Sequence, residues 1–301
     1  MTDSEQDETA AQTKTAIVLG GSSFIAPYLL RRLAERDYGG AVTSRRPRVT
    51  DTPLSNGFAA QQLDATSPGD WRAPAGAIVI SLLPLPILVP LLPALAEAVQ
   101  IVALGTSGVH YKQDSGDSEE RTYIQSVIDA AATLETACAD SNTRWTLLQP
   151  TLVYAPWQDH NVSAIARFIR RFGFFPVAAP GRGLRQPVHA DDVAQAAVAA
   201  IGNLKAENRA LVLAGGETLS YREMVARVFE ALGRRPLIVA LPGPLLRLAM
   251  GTAGRLFRYN YSSDLFDRMN RDAAFDIAEA REALAFAPRD FHPDFREESA
   301  P

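Results

Sequence analysis

Hydrophobic positions along the chain follow two spacings in alternation. Residues 15–19 (TAIVL) form a short continuous apolar run that ends in Gly20-Gly21-Ser22-Ser23, and within 24–35 Ile25, Leu29, Leu30 and Leu33 recur at helical steps. The pattern predicts a strand, a glycine turn and a helix. Further short strands are predicted at 41–44, 58–63, 77–82 and 100–104, each set apart by a turn or a helical stretch. A helix over about 121–139 carries Ile124, Val127, Ile128, Ala131, Leu134 and Cys138 on one stripe, and 144–149 (RWTLLQ) reads as another strand. Strands alternating with helices in this way predict an α/β fold built on a doubly wound parallel sheet, covered on both faces.

After Pro150 the pattern loosens. An amphipathic helix is predicted near 161–172, then a Pro/Gly-rich stretch over 175–187, then a helix starting at Asp191-Asp192. Residues 211–213 read as a last strand, and Ser220-Tyr221-Arg222-Glu223 as a capping box. The helix it opens has Met224, Val225, Val228, Phe229 and Leu232 inward and Gly233 as its stop. This divides the chain into an N-terminal tail (1–13), a core (14–155) and a smaller α/β lobe (156–301), with 186–214 returning to the core. The segment 242–259 interleaves apolar residues with Arg247, Arg255 and Arg258. It reads either as a helix of the lobe covering the cleft or as a helix making peripheral membrane contact.

Composition narrows the function. The 301 residues are 47% hydrophobic and 21% charged, the balance of a globular chain. Four of the 34 acids (Asp3, Glu5, Asp7, Glu8) lie in the tail, which has no base and is expected to be disordered. The remainder is close to neutral and carries no footprint for nucleic acid. The single cysteine, Cys138, forms no internal disulfide, and His110, His160, His189 and His292 show no metal-ligand spacing. A cytoplasmic setting is expected. The uncharged stretch 73–96 is long enough for a membrane span, but Pro84, Pro86, Pro90 and Pro93 interrupt it, so a buried strand followed by a loop and a short helix is expected.

The first glycine turn points to a dinucleotide. In such turns a glycine permits close approach of backbone to pyrophosphate, and the helix N-terminus faces the anion. Here the pattern Gly20-x-x-Ser23-x-x-Ala26 keeps only the first glycine, with Ser23 offering an N–H and a hydroxyl. The opening LGGSSFIAPYLLRRL, the segments Leu63-Asp64-Ala65-Thr66, LLQPTLVYAP (147–156), QPVHADDVAQA (186–196) and GGETLSYREMVARVFEALG (215–233) together resemble the extended or atypical short-chain dehydrogenase/reductase superfamily, in its NAD-dependent epimerase/dehydratase branch. The resemblance implies a Rossmann-like core. It also implies a cofactor site at Gly20, Ser22, Ser23, Phe24, Ile25, Arg45, Arg46, Asp64, Leu82, Leu83 and Pro150.

Arg45 and Arg46 stand where an acid would bind the ribose hydroxyls of NAD, and arginine there pairs with a 2′-phosphate, so NADP is preferred over NAD. A solvated basic loop is the alternative. The family commonly uses a Ser/Thr, a Tyr and a Lys, because a free tyrosine is a poor base at neutral pH until a cation stabilises its phenolate. Thr106 matches the Ser/Thr, with Ser107 next as a substrate contact. Aligning Glu135 with the family's acid puts Val127 at the Tyr position and Ala131 at the Lys position. Only Lys14, Lys112 and Lys205 exist, so no register restores the pair, and Tyr123 is the nearest substitute. Arg182 and Arg185 resemble positions that meet an anionic substrate. The reading is an NAD(P)-binding oxidoreductase or epimerase-like protein acting on a small carbonyl, alcohol or nucleotide-sugar-like molecule. Its alternative is a non-catalytic NAD(P)-binding sensor or accessory subunit.

Overall fold

In the computed structural model the described residues are 14–45, 57–242 and 269–296. The expected basic residue Arg46, the tail and most of the 242–259 segment lie outside them. Seven strands form the main sheet: β1 (Lys14–Leu19), β2 (Tyr38–Ser44), β3 (Phe58–Gln62), β4 (Ile78–Ser81), β5 (Gln100–Leu104), β6 (Arg144–Pro150) and one near the end of the core (Arg209–Leu213). Every pairing in this sheet is parallel.

Helix α1 (Ala26–Ala34) follows β1, and α2 (Leu85–Leu88) with a 3-10 turn (Val89–Leu95) follows β4. A 3-10 turn (Ser107–His110) and α3 (Ser118–Asp140) then lead into β6. Among the described residues no helix is long and apolar enough to cross a membrane, and the proline-rich stretch is the strand and short helical turns that its prolines dictate. α3 starts three residues earlier than its apolar stripe suggests, because Asp117 accepts from the Glu119 and Glu120 amides and caps it.

The chain then builds β7 (Val153–Tyr154), α4 (Val162–Phe172), β8 (Phe175–Ala178), β9 (Leu184–Arg185), β10 (Val188–His189) and α5 (Ala190–Ala199). The seventh sheet strand, Arg209–Leu213, is β11, and β12 (Leu219–Ser220), α6 (Tyr221–Ala231), β13 (Ile238–Leu241) and α7 (Ala278–Leu284) follow. In the main sheet the order is β11-β6-β5-β4-β1-β2-β3. The Pro/Gly-rich stretch 175–187 holds two short strands where the local pattern shows none. Their partners are remote: β8 pairs with β13 and β9 with β12.

The core has three parts. One face of the sheet is covered by α1, α5 and α7 through Leu29, Leu33, Val193, Ala197 and Leu284. The other is covered by α2, its 3-10 turn and α3 through Leu88, Leu91, Val127 and Leu134. The third surrounds α4 and α6, where Ile169, Val177, Met224, Val228, Phe229 and Phe291 pack together. Ser220 and Glu223 make the reciprocal capping box at the start of α6, and Leu232 is half-buried at its end.

Candidate functional site: a crevice at the carboxyl edge of the sheet

Because all seven strands run parallel, their carboxyl ends share one edge. Gly20 ends β1 there, Arg45 follows β2, Asp64 follows β3, Leu82 and Leu83 follow β4, Gly105 and Thr106 follow β5, and Pro150 ends β6. Strand order reverses between β1 and β4, the position at which open α/β sheets form a ligand crevice. Gly20 adopts φ +86°, and a Cβ on it would lie 3.3 Å from the backbone of both Leu82 and Leu83. Glycine is therefore what lets the ends of β1 and β4 meet.

The amides of Gly20 and Gly21 donate to Thr43 O at 3.1 and 2.8 Å, fixing the turn on β2. Ser23 departs from expectation. Its N–H closes the turn on Gly20 O (2.9 Å) and its Oγ accepts from the Ile25 amide (3.3 Å), which leaves its hydroxyl proton for a ligand. Ser22 is exposed, Phe24 half-buried, and Ile25 buried at the N-cap of α1, so Ile25 contributes through its backbone.

At the far end of the crevice, Arg45 and Asp64 are both exposed. Asp64 accepts from Thr66 N (3.0 Å) and Thr66 Oγ1 (2.7 Å), which holds its carboxyl below the usual range, and Arg45 acts in the same direction. Gln62 Nε2 donates to Arg45 O at 3.2 Å and anchors the start of the basic loop.

On the other side of the switch point, Thr106 is the N-cap of the 3-10 turn, its Oγ1 accepting from Gly108 N at 3.0 Å, and Ser107 is buried. Beside them opens a niche of about 260 Å³ between β5, β6 and α3. Val127 and Ala131 line it and present only hydrocarbon. Ile128 and Leu147 add to that wall, while Gly105, His110 and Gln149 line it from the β5 and β6 side. His110 Nε2 and Gln149 Oε1 are 2.8 Å apart. Sequence reasoning missed both residues in this role. The signal was present in the position of His110, four residues after Thr106 on the same loop.

Two other groups are placed elsewhere. Tyr123 is 49% exposed on α3 and is not among the residues lining the niche. Lys112 Nζ is paired with Glu120 Oε1 at 2.9 Å.

Residues 269–276 approach this loop. The Phe275 ring lies 5.8 Å from that of His110 and 6.0 Å from that of Tyr111, and Arg271 Nη1 donates to Tyr111 O at 3.4 Å. Arg185 is buried, with Nη1 donating to Leu184 O (2.6 Å) and Arg271 O (2.7 Å), so it braces this segment against β9. Arg182 is exposed.

His189 and Asp191 hold α5 in place, as an acid at a helix start would. His189 Nδ1 accepts from Asp191 N at 3.1 Å, and the His189 ring stands edge-on to Tyr28 and Tyr154 at 5.4 and 5.0 Å. Burial and the neighbouring Arg289 charge push its pKa down to about 4.

A parallel sheet with a glycine turn at its switch point defines a doubly wound α/β protein. The chain carries, over residues 92–214, a match to the family model described as NAD dependent epimerase/dehydratase family, which bears out the resemblance to the extended short-chain dehydrogenase/reductase superfamily. UDP-glucose 4-epimerase of Vibrio cholerae is 25% identical over 181 residues, 60% of this chain and 53% of that protein. The mitochondrial NADH dehydrogenase [ubiquinone] 1 alpha subcomplex subunit 9 of Arabidopsis thaliana is 24% identical over 155 residues, 51% of this chain and 38% of that one. The matched stretches thus span about half or less of these relatives.

Among solved structures, MoeE5 in complex with UDP-glucose and NAD superposes with TM-score 0.69 at 19% identity, covering 91% of this chain and 93% of MoeE5. The UDP-glucose 4-epimerase of Thermotoga maritima with UDP-glucose gives 0.65 at 17% identity, covering 91% and 93%. At these identities the likeness is one of fold.

Proposed function

We propose that this protein binds a nicotinamide dinucleotide across the β1–β4 crevice and acts, as an oxidoreductase or epimerase-like enzyme, on a small carbonyl, alcohol or nucleotide-sugar-like molecule held against the lobe. The observation that carries the reading is the turn at Gly20, which brings the ends of β1 and β4 together at the switch point ahead of α1, whose positive end suits a pyrophosphate. The residues fit the cofactor: Gly20, Ser22 and Ser23 at the phosphates, Arg45 and Asp64 at the adenosine end, Leu82 and Leu83 along the middle, and Pro150 at the nicotinamide end. When bound, the nicotinamide supplies hydride chemistry. Thr106 keeps its hydroxyl proton for a substrate oxygen while its lone pair caps the 3-10 turn. Arg182 is the exposed cation available to an anionic substituent. The division at 155/156, with 186–214 rejoining the core, and a cytoplasmic setting belong to the same proposal.

Arg45, with a basic loop after it in the sequence, favours NADP. Calorimetric titration of the full chain should show tighter binding of NADP⁺ than of NAD⁺, and Arg45→Ala should narrow the gap. Equal affinities, or a preference for NAD⁺, would sink the NADP preference, and no binding of either at millimolar concentration would sink the whole reading. Gly20→Ala should weaken either cofactor about tenfold or more and cost the fold about 1–2 kcal/mol, since a Cβ at positive φ is strained and here meets backbone. Unchanged affinity in a folded Gly20→Ala protein would move the phosphates away from this turn.

A second reading, a non-catalytic NAD(P)-binding sensor or accessory subunit, is favoured by Val127 and Ala131 standing in the cleft in place of a proton-transferring pair, and by the resemblance to the Arabidopsis subunit. Cofactor binding with no oxidation of NAD(P)H across a panel of carbonyl substrates would select it.

A further inference from the structure

We propose that the niche between α3, β5 and β6 is a binding site for a small apolar carbonyl compound, such as a cyclic or branched aliphatic ketone. What the site does with that ligand rests on the function proposed above; the binding itself does not.

Volume, lining and an unused donor support the assignment. The niche measures about 260 Å³, and an apolar cavity of about 150 Å³ already admits benzene. Its α3 wall is hydrocarbon from end to end, through Val127, Ile128 and Ala131, with Leu147 opposite on β6. A sugar ring laid there would lose hydrogen bonds from its hydroxyls to water and regain few of them, whereas an alkyl ring loses nothing polar.

One polar group in the niche has unused capacity. Gln149 is 8% exposed, its Oε1 lies 2.8 Å from His110 Nε2, and its Nε2 makes no hydrogen bond to protein among the described residues while staying in contact with solvent. A carbonyl oxygen in the niche supplies an acceptor for that N–H in place of water. By contrast, Gln113 Nε2 already donates to Val109 O at 2.7 Å. The niche therefore offers a donor at its β6 side and hydrocarbon at its α3 side, the polarity pattern of a ketone.

The test is binding of cyclohexanone to the full chain, followed by the methyl NMR signals of Val127, Ile128 and Leu147, with NADP⁺ titrated into the same samples. Saturable shifts are expected with a Kd on the order of millimolar, as suits so small a ligand. Ala131→Leu, which fills the niche, should weaken binding at least about tenfold, and Gln149→Leu, which keeps the volume and removes the donor, about tenfold.

Absence of shifts in the wild type, or full binding by a folded Ala131→Leu protein, overturns the site. Full binding by a folded Gln149→Leu protein overturns the choice of a carbonyl. Cyclohexanone binding without any NADP⁺ binding would leave the niche standing and defeat the proposed function, and the converse result would defeat the niche alone.

Discussion

Asp191→Ala is expected to destabilise the protein by about 3 kcal/mol. The carboxylate is 9% exposed at the side chain and meets three guanidinium groups. Arg32 forks onto it with Nε–Oδ1 and Nη2–Oδ2 both at 2.7 Å, Arg31 Nη2 reaches Oδ1 at 3.0 Å, and Arg289 Nη2 reaches Oδ2 at 2.8 Å. These contacts join α1, α5 and the segment after α7 at one point, and they hold the Asp191 pKa far below the usual carboxylate range against the opposing effect of burial.

Removing one partner of a buried pair leaves the other charge desolvated and uncompensated. Arg31 and Arg289 are about half exposed, so water offsets part of their loss, and Arg289 keeps Asp192 at 2.7 Å. Arg32 bears most of the cost. Urea unfolding at neutral pH reads the effect directly, and a loss below about 1 kcal/mol would show that the cluster is an exposed network in practice. Because α1 starts at the Gly20 turn, cofactor affinity should fall in the same variant.

The sheet was legible because its evidence is local. β1, β4 and β5 are short apolar runs bounded by turn residues, and Gln100–Leu104 has the bounds that the pattern predicts. The parallel order followed from alternation alone, and with it the gathering of Gly20, Arg45, Asp64, Leu83 and Thr106 on one edge. The lobe was less legible because its strands are two to four residues long and pair with partners dozens of positions away, as Phe175–Ala178 does with Ile238–Leu241. No window of local periodicity contains both.

The reacting end shows a different limit. Val127 and Ala131 line the niche from α3, but what else faces them depends on packing between β5, β6 and a loop. His110 and Gln149 are 39 positions apart and meet only in the folded chain. Tyr123, one helical turn before Val127, stands 49% exposed and outside the niche. Arg185 was read as facing substrate from its motif position, whereas in the fold its guanidinium is bound to the backbone carbonyls of Leu184 and Arg271.

A second large effect is expected from acid. His189 is held neutral in the folded protein because it is buried, because Arg289 and Arg31 repel a positive ring, and because its Nδ1 lone pair is accepting the Asp191 amide; Asp192 and Asp191 pull the other way and lose. With the folded pKa down at about 4 and the unfolded value near 6.5, the unfolded chain binds a proton throughout the interval between them and the folded chain does not.

The His189 contribution should therefore be undiminished above pH 6.5, fall as the pH drops through that interval, and level off below about 4 after a loss of about 3 kcal/mol, where protonation of Asp191 adds a loss of its own. His189→Asn isolates the contribution, since an asparagine oxygen can still accept the Asp191 amide at the start of α5 while carrying no titratable group. The variant should match the wild type to within about 1 kcal/mol at pH 7.5 and surpass it at pH 4.5. The carboxylates of Asp191 and Asp192 do not blur the comparison, because an unfolded aspartate takes up protons only near and below pH ~4. Urea midpoints measured from pH 7.5 to 4.5 decide the matter: parallel declines in wild type and variant would assign the acid sensitivity to other groups and remove His189 from the account.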